Sequence, residues 1–234
     1  MRWLDGIKDD AQAIYFLGDM FDYWYEYKYV VPKGHIRFLG KLAELVDHGV
    51  EIHFLVGNHD IWMSDYLPKE IGAVIHQGPL IIDLLGKRFF LAHGNEVGKQ
   101  KIFFRFLQTL FRNKVCQFLY AGIHPRWTFS FAKYCSLHSR KKGLYNQQED
   151  PEKDAEYLVE FAQEYIQTNP DIQFFIFGHC HTVLDMELET RNTGEIKQVE
   201  QSLYSNSRLL VIGEWMKHFS YILWDGSNLS LKKF

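Results

Sequence analysis

Four short apolar runs in this chain each end abruptly in residues that bind metal ions. They are Ala13 to Leu17 before Gly18-Asp19, Ile52 to Val56 before Gly57-Asn58-His59-Asp60, Arg88 to Ala92 before His93-Gly94-Asn95, and Phe174 to Phe177 before Gly178-His179-Cys180-His181. Apolar runs of this length, closed by Gly and polar residues, predict buried strands. Side chains leaving the carboxyl ends of neighbouring strands share one edge of a sheet, so the pattern predicts an α/β fold whose ligand residues converge on one crevice.

The rest of the chain is compatible with that layout. At 234 residues and 47% hydrophobic content it can bury one substantial core, and it reads as a single globular domain carrying an insertion. A net charge of -3 gives no broad positive field, which argues against general nucleic-acid binding. Cys116, Cys135 and Cys180 are an odd number without a C-x-x-C pair, which argues for a reducing, cytoplasmic setting over a disulfide framework. No run reaches the roughly 18 to 20 apolar residues of a membrane-spanning helix. The first residues, Met1 to Asp5, have no signal-peptide character and read as the end of a surface helix.

Between the first two runs, Pro32 marks an early helix position and Gly49 a stop, with Ile36, Leu39, Leu42, Ala43 and Val46 at helical spacing. Strand, helix, strand predicts parallel pairing there. Short β runs at Ala73 to Ile75 and Leu80 to Leu84 precede the third cluster. A helix after Asp150-Pro151 buries Leu158, Val159, Ala162, Tyr165 and Ile166. The last third reads as antiparallel β: Val183 to Glu189, Ile196 to Leu203, Arg208 to Ile212 and Tyr221 to Trp224.

A carboxylate can bridge two cations, an amide oxygen suits a hard ion and imidazole suits transition ions, so Asp19, Asn58, His93, His179 and His181 form a donor set for Mn, Fe, Zn or Ni rather than Ca. Any one of these histidines alone reads equally as a core or surface residue. The same ending on four strands is what favours the metal.

In order, G-D, G-N-H-D, H-G-N and G-H-C-H resemble the motifs of the calcineurin-like metallophosphoesterases, over nearly the whole chain. The resemblance implies an α/β/β/α sandwich of two mixed sheets flanked by helices, with a core of residues 1–97 and 149–234 and a helical cap inserted at 98–148. It implies two divalent metals, Mn foremost, sharing Asp19, with Asn58, His93 and His179 completing one site and His181 belonging to the other. It also implies catalytic roles for His59, placed to stabilise or protonate the departing oxygen, and for Asp60, holding the His59 ring.

The family opens with an Asp-x-His motif at the end of a first strand, and this sequence contains no Asp-x-His. The chain therefore reads as starting after that strand, which leaves one site only Asp19 and His181 and predicts that a single metal is bound. A catalytically silent form that binds lipid or metal is the corresponding alternative. Asn95 stands where an aspartate usually follows His-Gly, and Cys180 is either a soft ligand or an inert buried thiol.

The insertion has its own character. From Val97 to Gln148 there is no Asp or Glu, while Lys, Arg and aromatic residues are dense. On a helix from Ile102 to Val115, Phe103, Phe104, Phe106, Leu107, Leu110 and Phe111 share one arc, and Lys101, Arg105, Gln108 and Arg112 the other. Such a helix either faces a core or lies on anionic lipid. With Phe16-Leu17-Gly18-Asp19-Met20-Phe21-Asp22-Tyr23-Trp24 and Gly213-Glu214-Trp215, the insertion resembles the UDP-2,3-diacylglucosamine pyrophosphatases of lipid A synthesis. That implies hydrolysis of a UDP-linked diacyl sugar lipid to UMP and 2,3-diacylglucosamine 1-phosphate, on the cytoplasmic face of the bacterial inner membrane. A generic phosphoesterase acting on a nucleotide or phosphoprotein is the other enzymatic reading. Arg140, Lys141 and Lys142 suit the diphosphate, Phe103, Phe106, Phe111, Trp127 and Phe131 suit acyl chains, and Trp24 either lines the mouth of the site or fills the core.

Overall fold

The apolar runs form the strands expected of them. In the computed structural model, which describes residues 1–98, 102–132, 134, 138, 153–188 and 207–234, the chain divides into two compact units, residues 1–78 with 100–148 and residues 79–99 with 149–234. The architecture is α/β, with sheets flanked by helices.

The first unit is built on a sheet of β1 (Ala13–Leu17), β2 (Glu51–Leu55) and β3 (Val74–His76), in that order and parallel throughout. Ile14, Ile52 and Phe54 alternate onto one face and meet Leu39, Leu42 and Leu45 of α2 (Ile36–Asp47) in one buried cluster. Each such side chain, withdrawn from water, contributes about 1.5–3 kcal/mol. The helix starts at Ile36 and not at Pro32, because Gly34 at φ +106 breaks the path between them. Its end follows the expectation: Gly49, at φ +88, turns the chain so that Val50 N–H reaches Leu45 O at 3.0 Å.

α1 (Arg2–Ile7) buries Leu4 in the same cluster and is tied to α2 through Asp5 and Lys41 at 2.7 Å, so it is part of the core and not only of the surface. α3 (Tyr66–Ile71) leads into β3. The insertion adds α4 (Ile102–Arg112), α5 (Lys114–Ala121), whose first turn is capped by the Asn113 side chain, and a helical stretch over 125–132, α6. Four polar tips hold these helices to the first unit: Tyr23 and Tyr120 hydroxyls meet at 3.0 Å, Tyr25 OH donates to Gln117 O, Tyr27 OH meets Thr128 Oγ1, and Trp62 Nε1 donates to Phe111 O.

The second unit holds a five-stranded mixed sheet, β4 (Leu80–Leu84), β5 (Lys87–Ala92), β6 (Phe174–Phe177), β8 (Ser207–Ile212) and β7 (Val183–Leu188), in that spatial order. α7 (Glu156–Ile166) lays Leu158, Ala162 and Ile166 against Phe90, Phe175, Phe177 and Val211. α8 (Trp215–His218) and the antiparallel hairpin of β9 (Ser220–Trp224) and β10 (Leu229–Lys233) complete the chain.

The last third is not antiparallel throughout. β8 runs parallel to β6 and antiparallel to β7, so the apolar strand Phe-Phe-Ile-Phe lies between two parallel neighbours. The strand expected at Ile196 to Leu203 lies outside the described residues.

Candidate metal centre

In the first unit, Gly18 at φ +80 and Asp19 at φ +53 swing the chain out of β1. The left-handed conformation is costly for an aspartate, by about 1–3 kcal/mol, and persists only where its surroundings enforce it. Here Asp19 N–H donates to Asp60 Oδ1 at 3.3 Å, and Asp19 Oδ1 accepts the backbone N–H of His59 at 2.8 Å. A Cβ at Gly57 would fall on the Asp19 backbone nitrogen and carboxylate, 2.9 Å from Cγ, so only glycine lets the two ligand loops approach this closely. Asn58, the next residue, is exposed.

Asp60 does not hold the His59 ring. It is fully buried, and its carboxylate gathers the backbone N–H groups of Gly57 at 2.8 Å and Met20 at 2.8 Å, with Asp19 and Phe21 at longer range. Short-range donors outcompete an imidazole for its lone pairs. The His59 ring is oriented instead by Asp22, whose carbonyl lies 3.1 Å from Nδ1. A carbonyl only accepts, so Nδ1 carries the proton and Nε2, 4.0 Å from Asp19 Oδ2, is turned towards the carboxylate.

In the second unit, β5 and β6 are parallel neighbours, and the loops beyond their ends bring His93 Nε2 within 3.1 Å of His179 Nδ1. His93 is buried. His179 sits at φ +58 in a tight turn closed by Cys180 N–H on Gly178 O at 2.6 Å. Two imidazole nitrogens aimed at each other in this way form a chelating pair suited to a borderline cation. His181 turns to Glu214, its Nδ1 2.9 Å from Oε2. Burial pushes the Glu214 carboxyl up, but Lys217, 2.7 Å from Oε1, and His181 outweigh it and hold the group below the usual glutamate range.

Cys180 serves packing. Its Sγ donates to Asp154 O at 3.0 Å, and burial pushes the thiol up to about 11, away from the thiolate that a soft ligand needs. Trp24 is likewise a core residue: it has no exposed surface, stacks near Phe21 with ring centroids 4.3 Å apart, and donates Nε1 to Glu26 at 2.9 Å. Phe106, Phe111, Trp127 and Phe131 are exposed on the insertion, and Phe103 lies in α4. Arg140, Lys141 and Lys142 lie outside the described residues.

Three acids that the motifs do not contain shape the ligand loops. Glu96 accepts the N–H groups of His93 and Gly94, each at 3.1 Å. Glu26 accepts those of Ser64, Asp65 and Tyr66. Glu214, in Gly213-Glu214-Trp215, is the acid that meets His181. An acid one to three residues beyond a ligand histidine was the available signal for Glu96; nothing local announces Glu26.

The sequence profile of the family described as Calcineurin-like phosphoesterase matches residues 1–183. A protein of Porphyromonas gingivalis (strain ATCC BAA-308 / W83) called UDP-2,3-diacylglucosamine hydrolase is 44% identical over 243 residues, which cover 98% of this chain and 86% of that protein. Proteins of the same name from Ectopseudomonas mendocina (strain ymp) and Hahella chejuensis (strain KCTC 2396) are 24% and 26% identical, covering 96% and 98% of this chain and 85% and 87% of their own lengths.

Proposed function

The chain belongs to the calcineurin-like phosphoesterases, and from that premise we propose that it hydrolyses the diphosphate of UDP-2,3-diacylglucosamine, releasing UMP and 2,3-diacylglucosamine 1-phosphate. It is a metal-dependent phosphoesterase. What carries the substrate assignment is the 44% identity, over nearly the whole chain, to a protein called UDP-2,3-diacylglucosamine hydrolase.

Membership of the family implies divalent metal ions, and the donors present fit them: a carboxylate fixed by a backbone N–H in one unit, and a chelating imidazole pair in the other. Our reading assigns Asp19, Asn58, His93 and His179 to one ion, and Asp19 with His181 to a second, with Mn2+ the best match. Bound there, divalent cations supply Lewis-acid chemistry, neutralising phosphate charge and making water nucleophilic near neutral pH. The chain's residues do the rest. His59, its Nδ1–H held by Asp22, leaves Nε2 to take up a second proton, and the imidazolium so formed gives that proton to the departing phosphate oxygen and returns to the Nδ1–H form. Asp60 fixes the loops that carry Asp19 and His59 against each other.

The cap is the lipid-binding part of this reading. Phe106, Phe111, Trp127 and Phe131 offer apolar surface to acyl chains, and Arg112, Lys114 and Arg126, exposed beside them with no acid in the segment, suit an anionic bilayer. No described helix is long and apolar enough to cross a membrane. The exposed aromatic and basic surface of the cap is what leads us to place the chain peripherally, on the cytoplasmic face of the inner membrane.

The test is turnover by the purified chain with Mn2+, comparing UDP-2,3-diacylglucosamine with a simple phosphodiester. We expect metal-dependent release of UMP, abolished by chelation and restored by Mn2+. Cleavage of the simple diester alone supports the generic phosphoesterase reading and removes this one; no turnover of either supports the silent reading.

A further inference from the structure

β7 and β8 are antiparallel, with Val183 opposite Ile212. Carried two residues past the end of that ladder, the same register sets position 181 opposite position 214. Both residues occupy loops, yet the juxtaposition survives: His181 Nδ1 lies 2.9 Å from Glu214 Oε2. Gly213 makes this possible. Its φ of +68 turns the chain at the end of β8, and a Cβ there would meet Val183 Cγ2 at 2.7 Å and His218 Nδ1 at 2.8 Å.

The Glu214 carboxylate is anchored from its other side. Lys217 stands 2.7 Å from Oε1, and the Glu214 backbone N–H donates to His218 Nδ1 at 3.3 Å. Glu214 thus has one oxygen tied to the first turn of α8 and the other directed at a single imidazole nitrogen. A carboxylate accepts and does not donate, so His181 must carry its proton on Nδ1, which leaves Nε2 as the free lone pair. The His181 side chain is half exposed.

We infer that Glu214 is a positioning residue for His181: it fixes the Nδ1-protonated tautomer and the ring plane, so that Nε2 is presented to a divalent cation. The inference rests on the reading of His181 as a ligand. Its physical content is the pre-organisation of a ligand by its carboxylate partner among the described residues. An unanchored imidazole populates both tautomers and several rotamers, and binding a cation then costs their loss. A carboxylate on the far nitrogen removes that cost and raises ligand basicity, an effect worth roughly 10–100-fold in metal affinity.

Two measurements on the full chain test it. In metal-free protein at mildly alkaline pH, the 15N shifts of His181 report which nitrogen bears the proton: wild type is expected to show Nδ1–H, and Glu214→Ala to lose that preference. Affinity for the second Mn2+ ion, resolved as the weaker step in a titration followed by the spin-resonance signal of free Mn2+, is expected to fall roughly 10–100-fold in Glu214→Gln and in Glu214→Ala, and to fall no further when Glu214→Gln is added to His181→Ala. Glu214→Gln keeps the size and most of the packing of the side chain, so it reports even if the alanine variant fails to fold. An unchanged tautomer in Glu214→Ala, or an equal loss from Glu214→Gln with and without His181, overturns the inference while leaving the metal-site reading standing. Undiminished affinity for the second Mn2+ ion in His181→Ala removes the ligand assignment, and the inference with it.

Discussion

Asp60 Oδ2 accepts the backbone N–H of Met20 at 2.8 Å, across 40 residues of sequence, and through this bond the loop after β1 is set against the loop after β2. The carboxylate of a fully buried side chain thereby ties the two loops together. Asp60→Asn replaces an acceptor-only group by one that also presents N–H, opposite donors that cannot accept. We expect a loss of about 3 kcal/mol in unfolding free energy, measured by urea titration, because charge-assisted bonds are lost and a buried donor is left facing another. Wild-type stability in this variant would show that the bonds to Gly57 and Met20 are incidental.

Gly57→Ala tests how closely the two ligand loops must approach. The added methyl group displaces Asp19, whose backbone and carboxylate already occupy its space. Destabilisation of about 1–3 kcal/mol is expected from overpacking, together with a weakening of Mn2+ binding by roughly tenfold. Calorimetry of unfolding and of Mn2+ titration checks both; an alanine variant that binds Mn2+ as tightly as wild type excludes the close approach.

Acid should destabilise the first unit through its half-buried imidazoles. Burial, with His53 as a second contributor, lowers the His76 pKa from the usual 6.5, and burial also lowers that of His35, against the influence of Asp22. Below about pH 6.5 the unfolded chain binds protons that the folded chain refuses, so folding stability declines as pH falls through that region. His76 lies in a relay with His53, 3.0 Å away, and Glu51, 3.3 Å beyond it, with Tyr15 stacked on His53. The thermal midpoint is expected to drop between about pH 7.5 and pH 5.5, and to drop less in His76→Asn. Equal pH dependence in both proteins would assign the effect to other groups.

The strand ends were legible because apolar runs closed by Gly and metal-binding residues carry their meaning locally: β1, β4 and β6 fall on the residues expected, and β2 and β5 within one residue of them. What the motifs did not reveal depends on atoms distant in sequence. Asp60 looks like a partner for its neighbour His59, but the tight turn places four backbone N–H groups nearer to it. Trp24 beside a ligand strand reads as a lining residue, and becomes core because Phe21 and Glu26 fold back over it. The parallel pairing of β8 with β6 joins strands some thirty residues apart, and no window of sequence displays it.

The interleaving of the two units has a consequence for biogenesis. Arg88 N–H donates to Gln173 Oε1 across 85 residues, and Phe89 and Phe90 take their places beside Phe174 and Phe175. A ribosome adding about 5–20 residues per second needs roughly 4–17 s to supply that partner strand. Throughout that interval the nascent chain carries the sticky edge of β5 while the intervening helices settle onto the other unit, and this window is when a holdase would have most to protect.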